Sequence, residues 1–321
     1  MILEGRISML EYQQTSMQAL HDTLYGVGFH WTTWTVSKSG TIKPFGEAVQ
    51  DFDVENFVKQ VADTGAGHLM FTVTHALHWL PGPNEEVDRI IKGRTCKRDL
   101  IMEIADGLLA KGIKLLLYYN HGTCPKQDPD WQDAVGSTLY NKQAYFNNYC
   151  RILRWMGNHY GKKVFAYWLD SATAFTDDPD TPWMEMTMAA KAGNPDRLIC
   201  YNTGIEEHKL ATPYQDYWAG EVTRLNYYPR GELTPAGLPW YALISWHPHL
   251  TRRIVGEWGI SGDNFNAEWL KPSVDSVVTF IRRFYAHGGA VTCNLLCYQD
   301  GNILTHDLEV MREVKKIIRG I

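Results

Sequence analysis

The run Val164-Phe165-Ala166-Tyr167-Trp168-Leu169-Asp170 decides the fold of this chain, and it is followed by the small residues Ser171 and Ala172. Its length and its β-branched and aromatic residues predict a strand that is covered on both faces. A carboxylate at the C-terminal end of such a strand lies where α/β enzymes build their active sites. Asp170 is therefore the first candidate for chemistry, although an Asp after a strand also commonly caps the next helix.

Strands of the same character recur along the chain and are mostly separated by helical spacing. The other predicted strands are 25–31, 68–74, 113–120, 197–202, 215–221, 240–246 and 290–296, of which 215–221 has the weakest pattern. Predicted helices are one that ends near Leu24, then 53–62, 97–110, 145–160, 180–192, 273–287 and 308–318. Eight strands in this alternation predict a single (β/α)₈ TIM barrel over residues 1–321. A doubly wound nucleotide fold is disfavoured, because Gly26-Val27-Gly28 lies inside the first strand and not in a turn after it.

Composition limits the classes of partner. The 321 residues carry a formal net charge of -5 without a basic footprint, which argues against nucleic acid and anionic membranes. The N-terminus has no basic segment followed by an apolar one, and no apolar stretch is long enough to cross a bilayer. We expect a soluble protein of undetermined compartment, cytoplasmic as the chain stands, or periplasmic or secreted if a signal peptide was trimmed. The six cysteines form no CxxC pair, so we expect free and mostly buried thiols.

Aromatic residues are abundant, with 12 Trp and 17 Tyr. Most of them must lie in the core of a barrel, but flat amphipathic rings are also the usual stacking surfaces for sugars. The composition therefore favours a carbohydrate ligand.

In a barrel, the residues at the strand ends converge on one face. These candidates are His30, Trp31, His75, His78, Tyr119, Asn120, His121, Trp168, Asp170, Asn202, Glu221, Trp246 and His247. Glycoside hydrolysis needs two carboxyl groups, one ionised and one protonated. We expect Asp170 to be the nucleophile and Glu221, in its aromatic stretch, to be an acid/base with a raised pKa. Glu206, Glu207 and Glu257 remain alternatives for the second role.

Two other interpretations stay open. His75 and His78, with His121 or Cys124, could in principle bind zinc. Recognition of sugar hydroxyls by neutral imidazoles is more economical, so we predict neither metal nor cofactor. A non-catalytic carbohydrate-binding barrel is the second alternative, and the sequence does not give the oligomeric state.

The landmarks resemble those of the α-L-fucosidase family of retaining glycoside hydrolases, in the same order along the chain. Gly26 to Trp31 is similar to the family's first strand, Gly-x-Phe-x-His-Trp-Gly, and Tyr167-Trp168-Leu169-Asp170 to its nucleophile strand, Leu-Trp-Phe-Asp. Further similar segments are Lys97-Arg98-Asp99-Leu100, Lys111-Gly112-Ile113-Lys114, Leu117 to Asn120, Asn194-Pro195-Asp196, and Gly288-Gly289-Ala290 through Asn294-Leu295-Leu296 to Asp300-Gly301. The family's His-His-Asp-Gly-Phe is replaced by His75-Ala76-Leu77-His78-Trp79.

The resemblance implies a barrel in which Asp170 is the nucleophile and His30 and His75 bind sugar hydroxyls. It places Glu221 roughly at the family's variable acid/base position. A related fucan-cleaving family uses a histidine for that step, which makes His247 a second candidate. The implied substrate is an α-L-fucoside or a related sugar.

Overall fold

The computed structural model describes residues 12–75, 77–121, 127–249, 252–263 and 271–321. The strands are β1 Gly26–Phe29, β2 His68–Thr74, β3 Lys114–Asn120, β4 Val164–Asp170, β5 Leu198–Tyr201, β6 Glu221–Val222, β7 Tyr241–Ser245, β8 Pro248–His249, β9 Arg252–Gly256 and β10 Ala290–Asn294. The helices are α1 Gln18–His21, α2 Phe45–Asp51, α3 Val54–Asp63, α4 Glu85–Ile90, α5 Leu100–Leu109, α6 Pro129–Val135, α7 Gln143–Tyr160, α8 Thr173–Thr176, α9 Trp183–Ala190, α10 Val274–Ala286 and α11 Thr305–Arg319.

Eight of these strands are parallel and form one curled sheet in the order β5-β4-β3-β2-β1-β10-β7-β6, while β8 and β9 form a separate hairpin. Helices surround the sheet, which confirms the predicted (β/α)₈ barrel. Between β5 and β6 the contact is made by Asp216, whose backbone N–H donates to the Ile199 carbonyl at 2.8 Å. The Asp216 carboxylate in turn accepts the Ile199 N–H at 2.8 Å.

The predicted strand 215–221 is wrong in its extent, because only Glu221–Val222 pairs with a neighbour as a strand. The side chain of Asp216 takes the Ile199 N–H that a regular ladder would give to a backbone carbonyl. Lys191 lies 3.0 Å from the same carboxylate and neutralises it. A side-chain clamp thus replaces most of the sixth strand.

The connections on either side of β6 are loops, and the sequence predicts no helix there either. Residues 202–220 and 223–240 contain no helix. Aromatic side chains cover the outer face of β6 instead: the His208 ring stacks on Trp218 with centroids 4.5 Å apart, and Trp218 meets Trp240 edge to face at 5.5 Å. This wall of the barrel is therefore built from rings and loops.

Side chains alternate between two apolar layers. Inside the barrel lie Tyr118, Trp168 and Leu243, whereas Tyr119 and Leu169 belong to the layer between the sheet and the helices. Since successive residues of a strand point to opposite faces, the register of a strand decides which of two neighbours can reach the site.

Two sequence-based expectations concern the rest of the chain. Cysteines 96, 150, 200, 293 and 297 are free thiols, and Cys124 lies outside the described residues. In the part of the chain that the structure describes, no helix combines the length and the apolar character needed to cross a membrane.

Candidate active site

Asp170 is held at the end of β4 by three donors from neighbouring strand ends. The Tyr118 hydroxyl and the Asn120 amide, the latter at 3.0 Å, donate to Oδ2, and the Asn202 amide donates to Oδ1 at 2.9 Å. The following helix, α8, is preceded by Ala172 and has no side-chain cap, so Asp170 is not a helix cap. The carboxylate is partly exposed, and its lone pairs are oriented by the barrel itself.

The residue after Asp170 has an unusual backbone conformation. Ser171 has φ 60°, in the left-handed region that non-glycine residues rarely occupy. Its hydroxyl accepts a hydrogen bond from Asn120 at 3.1 Å. Backbone strain of this kind is concentrated at functional sites, where surrounding contacts maintain it.

Glu221 approaches Asp170 through a shared partner. The side-chain nitrogen of Asn202 lies 2.9 Å from Oδ1 of Asp170 and 2.7 Å from Oε2 of Glu221. The two oxygens are thus closer together than the sum of those distances. Burial, with the negative charge of Asp170, raises the pKa of Glu221 to about 7, although the hydrogen bond from Asn202 opposes this shift. Glu221 can therefore carry a proton near neutral pH.

A group of rings faces Asp170 from the first two strands. The His30 ring lies 4.7 Å from that of Tyr118, 5.6 Å from that of His75 and 5.0 Å from that of Trp258. Nδ1 of His30 is 2.8 Å from the Asn294 side-chain oxygen. Burial lowers the pKa of His30 to about 3 and also lowers the pKa of His75, so both imidazoles are neutral at physiological pH. Neutral imidazoles can both donate to and accept from the hydroxyls of a sugar.

Trp168 lies one layer deeper inside the barrel. Its ring stacks on Tyr118 with centroids 5.1 Å apart, and its N–H donates to the Ala219 carbonyl at 2.8 Å. It supports the floor of the site through Tyr118.

Several predicted binding residues lie on the other side of the barrel wall. Trp31 packs among Phe45, Phe52 and Phe71 and donates to the Gln299 carbonyl at 3.1 Å. Trp246 is also part of this outer core. The structure does not bring these indoles to Asp170.

Tyr119, His78 and His121 share that outer position. Nε2 of His78 is 2.8 Å from the Tyr119 hydroxyl, and the His78 ring lies flat on Trp131 with centroids 3.6 Å apart. His121 bonds the Tyr145 hydroxyl through Nδ1 and lies 3.2 Å from the Ser171 carbonyl through Nε2. Burial lowers the pKa of both imidazoles, that of His121 to about 4. His121 thus contacts the backbone of Ser171, the residue that follows Asp170.

His247 contacts a carboxylate of the last helix. Its Nε2 lies 2.9 Å and 3.1 Å from the two oxygens of Asp307, and Asp307 also accepts the Leu296 N–H at 2.8 Å. Among the described residues, the three-residue group that is compact enough for a metal ion is His247, His306 and Asp307, with ligand atoms within 4.8 Å of one another. The alternative zinc ligands that the sequence offered, His75, His78 and His121, are not among the described groups compact enough for a metal ion, and Cys124 lies outside the described residues.

The alternative acids have other surroundings than Glu221. Glu206 forms a two-pronged ion pair with Arg224 at 2.9 and 2.6 Å, and its backbone N–H donates to the Glu221 carbonyl. Glu207 is exposed. Glu257 is partly buried next to His247, whose carbonyl accepts its N–H at 2.8 Å. Glu221 shares the Asn202 donor with Asp170.

Sequence reasoning missed two members of the site. Tyr118 could have been found from Asn120, because residues two apart on a strand share a face. Trp258 lies in an irregular segment after β9, where no periodicity indicates its position, and its carbonyl accepts the Asn294 amide at 2.9 Å.

A (β/α)₈ barrel with an Asp and a Glu close together at the mouth formed by its strand ends is an arrangement typical of glycoside hydrolases. The sequence profile described as Alpha-L-fucosidase matches residues 5–318. The chain belongs to the α-L-fucosidase family.

Solved structures share this fold at low sequence identity. The α-L-fucosidase AlfC from Lactobacillus casei, in complex with its α-L-fucose product, has a TM-score of 0.66 and 15% identity, over 95% of this chain and 99% of its own. Isoenzyme 1 of the α-L-fucosidase from Paenibacillus thiaminolyticus has a TM-score of 0.67 and 18% identity, over 94% of this chain and 75% of its own. An endo-fucoidan hydrolase of glycoside hydrolase family 107 has a TM-score of 0.65 and 15% identity, over 94% of this chain and 93% of its own. No curated protein sequence matches the chain.

Proposed function

We propose that the protein hydrolyses an α-L-fucoside or a related glycoside with retention of configuration, using Asp170 as nucleophile and Glu221 as acid/base. The observation that carries this proposal is the Asn202 amide, which bonds one oxygen of each carboxylate at 2.9 and 2.7 Å. The nearest oxygens are therefore closer than the about 6.5 Å at which the spacing of inverting glycosidases begins. So short a distance between Asp170 and Glu221 leaves no room for the water molecule that an inverting pair must admit between its carboxyl groups, which favours direct attack by Asp170.

In the first step a carboxylate oxygen of Asp170 attacks the anomeric carbon. The bond from that carbon to the leaving oxygen breaks, and Glu221 gives its proton to this oxygen, so that the aglycone departs as an alcohol. The sugar is now an ester of Asp170. Tyr118 and Asn120 remain as donors to the Asp170 carboxyl and hold its orientation throughout.

In the second step Glu221, now ionised, takes a proton from water. The water oxygen bonds the anomeric carbon from the face that the leaving group occupied, and the ester bond to Asp170 breaks. The pKa of Glu221, about 7, suits a group that must be acid in one step and base in the next.

The substrate class follows from the family and from the polar rings around the site. His30 and His75 are neutral groups of mixed donor and acceptor character beside Asp170, as recognition of sugar hydroxyls requires. The similar structures are described as α-L-fucosidases and as an endo-fucoidan hydrolase. We therefore assign an α-L-fucosyl unit to the space above Asp170. A purely carbohydrate-binding barrel would not need the two carboxyl groups at this spacing.

The test uses 4-nitrophenyl α-L-fucopyranoside and follows the product by NMR. We expect the α-anomer of the free sugar to appear first, with the β-anomer only after mutarotation. Asp170→Ala should lose at least about 10³-fold in kcat, as expected for removal of a nucleophile. Added azide should restore turnover of this variant and yield the β-glycosyl azide, because azide then attacks from the position of the missing carboxylate.

Asp180→Asn serves as the matched control, since Asp180 is an exposed acid after the same strand and its loss should leave kcat unchanged. First appearance of the β-anomer would disprove retention. Full activity of Asp170→Ala would disprove the assigned nucleophile.

A further inference from the structure

The segment 223–240, which connects β6 to β7 without a helix, borders a groove of about 490 Å³ on the outer wall of the barrel. Its lining includes His208, Arg224, Tyr227, Tyr228, Arg230 and Trp240. Asp170 and Glu221 do not line this groove. It is a second concave surface, distinct from the site at the strand ends.

The groove presents aromatic rings that are fixed from behind. The Tyr227 hydroxyl lies 2.8 Å from Nε2 of His208, and the His208 ring stacks on Trp218. Tyr228 stays 48% exposed. His208 and Trp218 thus hold Tyr227 in place, while the neighbouring Tyr228 offers an exposed aromatic ring to a ligand.

Two guanidinium groups share the exposed tyrosine. Those of Arg230 and Arg283 lie 5.2 and 5.8 Å from the centre of the Tyr228 ring, and Arg230 donates to the Tyr228 hydroxyl at 2.9 Å. Within the described ranges, neither arginine has a carboxylate at ion-pair distance, whereas Arg224 is paired with Glu206. Two like charges thus meet at one ring without a counter-ion, in a chain whose net charge is -5.

We propose that this groove is a second carbohydrate-binding site, which binds a saccharide chain that carries sulfate or carboxylate groups. The exposed part of the Tyr228 ring packs on a sugar ring beside the two guanidinium groups, and the planar forks of Arg230 and Arg283 bind the anionic substituent through paired N–H donors. A polyanion without rings would leave Tyr228 unused. The proposal rests on the groove alone and does not depend on the assigned reaction at Asp170.

The experiment is affinity electrophoresis of the full chain in native gels. Dextran sulfate is a saccharide that carries sulfate, and polygalacturonate is one that carries carboxylate. Unmodified dextran supplies sugar without charge, and poly-L-glutamate supplies charge without sugar. The variants are Tyr228→Ala, Arg230→Ala and Arg283→Ala. Tyr140→Ala and Arg312→Ala are matched controls, because both residues are exposed and neither lines the groove.

We expect retardation by one or both anionic polysaccharides, and the stronger of the two identifies the substituent. Each of the variants Tyr228→Ala, Arg230→Ala and Arg283→Ala should raise the dissociation constant about tenfold. This is the loss expected for one charge-assisted or stacking contact. The controls should bind as the wild type does, and hydrolysis of the small aryl fucoside should be unchanged in all five variants. The proposal is overturned by absence of retardation in the wild type, by equal losses in the controls, or by equal binding of poly-L-glutamate.

Discussion

Tyr118 and Tyr119 are neighbours on β3 and lie on opposite faces of the barrel wall. Tyr118 points inward, stacks on Trp168 and donates its hydroxyl hydrogen to Asp170. Tyr119 points outward, where its hydroxyl contacts His78. Two residues of the same type at adjacent positions therefore form an internal pair for testing which face of the strand serves the site.

We expect Tyr118→Phe to lower kcat by about 10-fold to about 100-fold, because Asp170 then loses one of the donors that fix its orientation. The ring of the variant still packs on Trp168, so the thermal midpoint should stay close to that of the wild type. Tyr119→Phe should keep wild-type kcat. Steady-state kinetics on the aryl fucoside measure both, and equal effects in the two variants would contradict the assignment.

The pH dependence of kcat/KM should reveal Glu221. Since Glu221 must be protonated to assist the leaving group, activity should fall on the alkaline side with a midpoint at about 7. The hydrogen bond from Asn202 lowers the pKa of Glu221, so Asn202→Ala should move this limb to higher pH while it also reduces the maximal rate. Glu207→Gln, an exposed neighbour, should leave the limb in place. A limb that moves to lower pH in Asn202→Ala would be inconsistent with Glu221 as the acid.

Buried neutral histidines should make the fold sensitive to acid. Burial lowers the pKa of His30 and His68 to about 3 and that of His121 to about 4, whereas an unfolded chain protonates histidine near about 6.5. The unfolded state therefore binds more protons below about pH 6.5, and stability falls as the pH drops from there towards the folded pKa values. Each histidine contributes about 1.4 kcal/mol per pH unit in this window. Glu221 and Asp216, whose pKa values burial raises, act in the opposite sense, but the buried histidines outnumber them.

His68 is the position for testing this effect, because it lies within the barrel between Thr23 and Thr292, at 2.7 Å from each hydroxyl. Urea unfolding of His68→Asn at about pH 7 and about pH 5 should show a shallower loss of stability than in the wild type, by about one proton. An unchanged slope would show that His68 is not neutral in the folded protein.

The ion pair of Arg94 with Asp128 should be important for stability. The two groups bond at 2.8 and 2.9 Å, with side-chain exposures of 10% and 4%, and Asp128 also accepts the His78 N–H. Arg94→Met leaves a buried carboxylate without its partner, which should cost about 3 kcal/mol of the free energy of unfolding.

Lys271→Met breaks an exposed pair with Glu309 and should cost less than about 1 kcal/mol. Chemical denaturation of both variants gives the comparison. A cost for Arg94→Met no larger than that for Lys271→Met would contradict the importance of the buried pair.

The fold was predictable from the sequence because a barrel of this kind is encoded locally. Each buried strand is a continuous apolar run, and α3, α5 and α10 begin where Asp53, Asp99 and Ser273 accept N–H bonds from their first turns. The sixth strand was not predictable in its extent, since its backbone partner is replaced by the carboxylate of Asp216. A side chain that substitutes for a ladder leaves no periodic signal.

The sequence by itself determined the order of the strands, the family and the place of Asp170 at the end of β4. Only the tertiary structure decided which polar residues join it. Tyr118 and Asn202 reach Asp170, while Trp31 and Tyr119 pack behind the wall, because a shift of one residue along a strand turns a side chain to the opposite face. Likewise, the nearness of Glu221 and its raised pKa depend on burial and on the charge of Asp170, which is 51 positions away in the chain and adjacent only in the folded barrel.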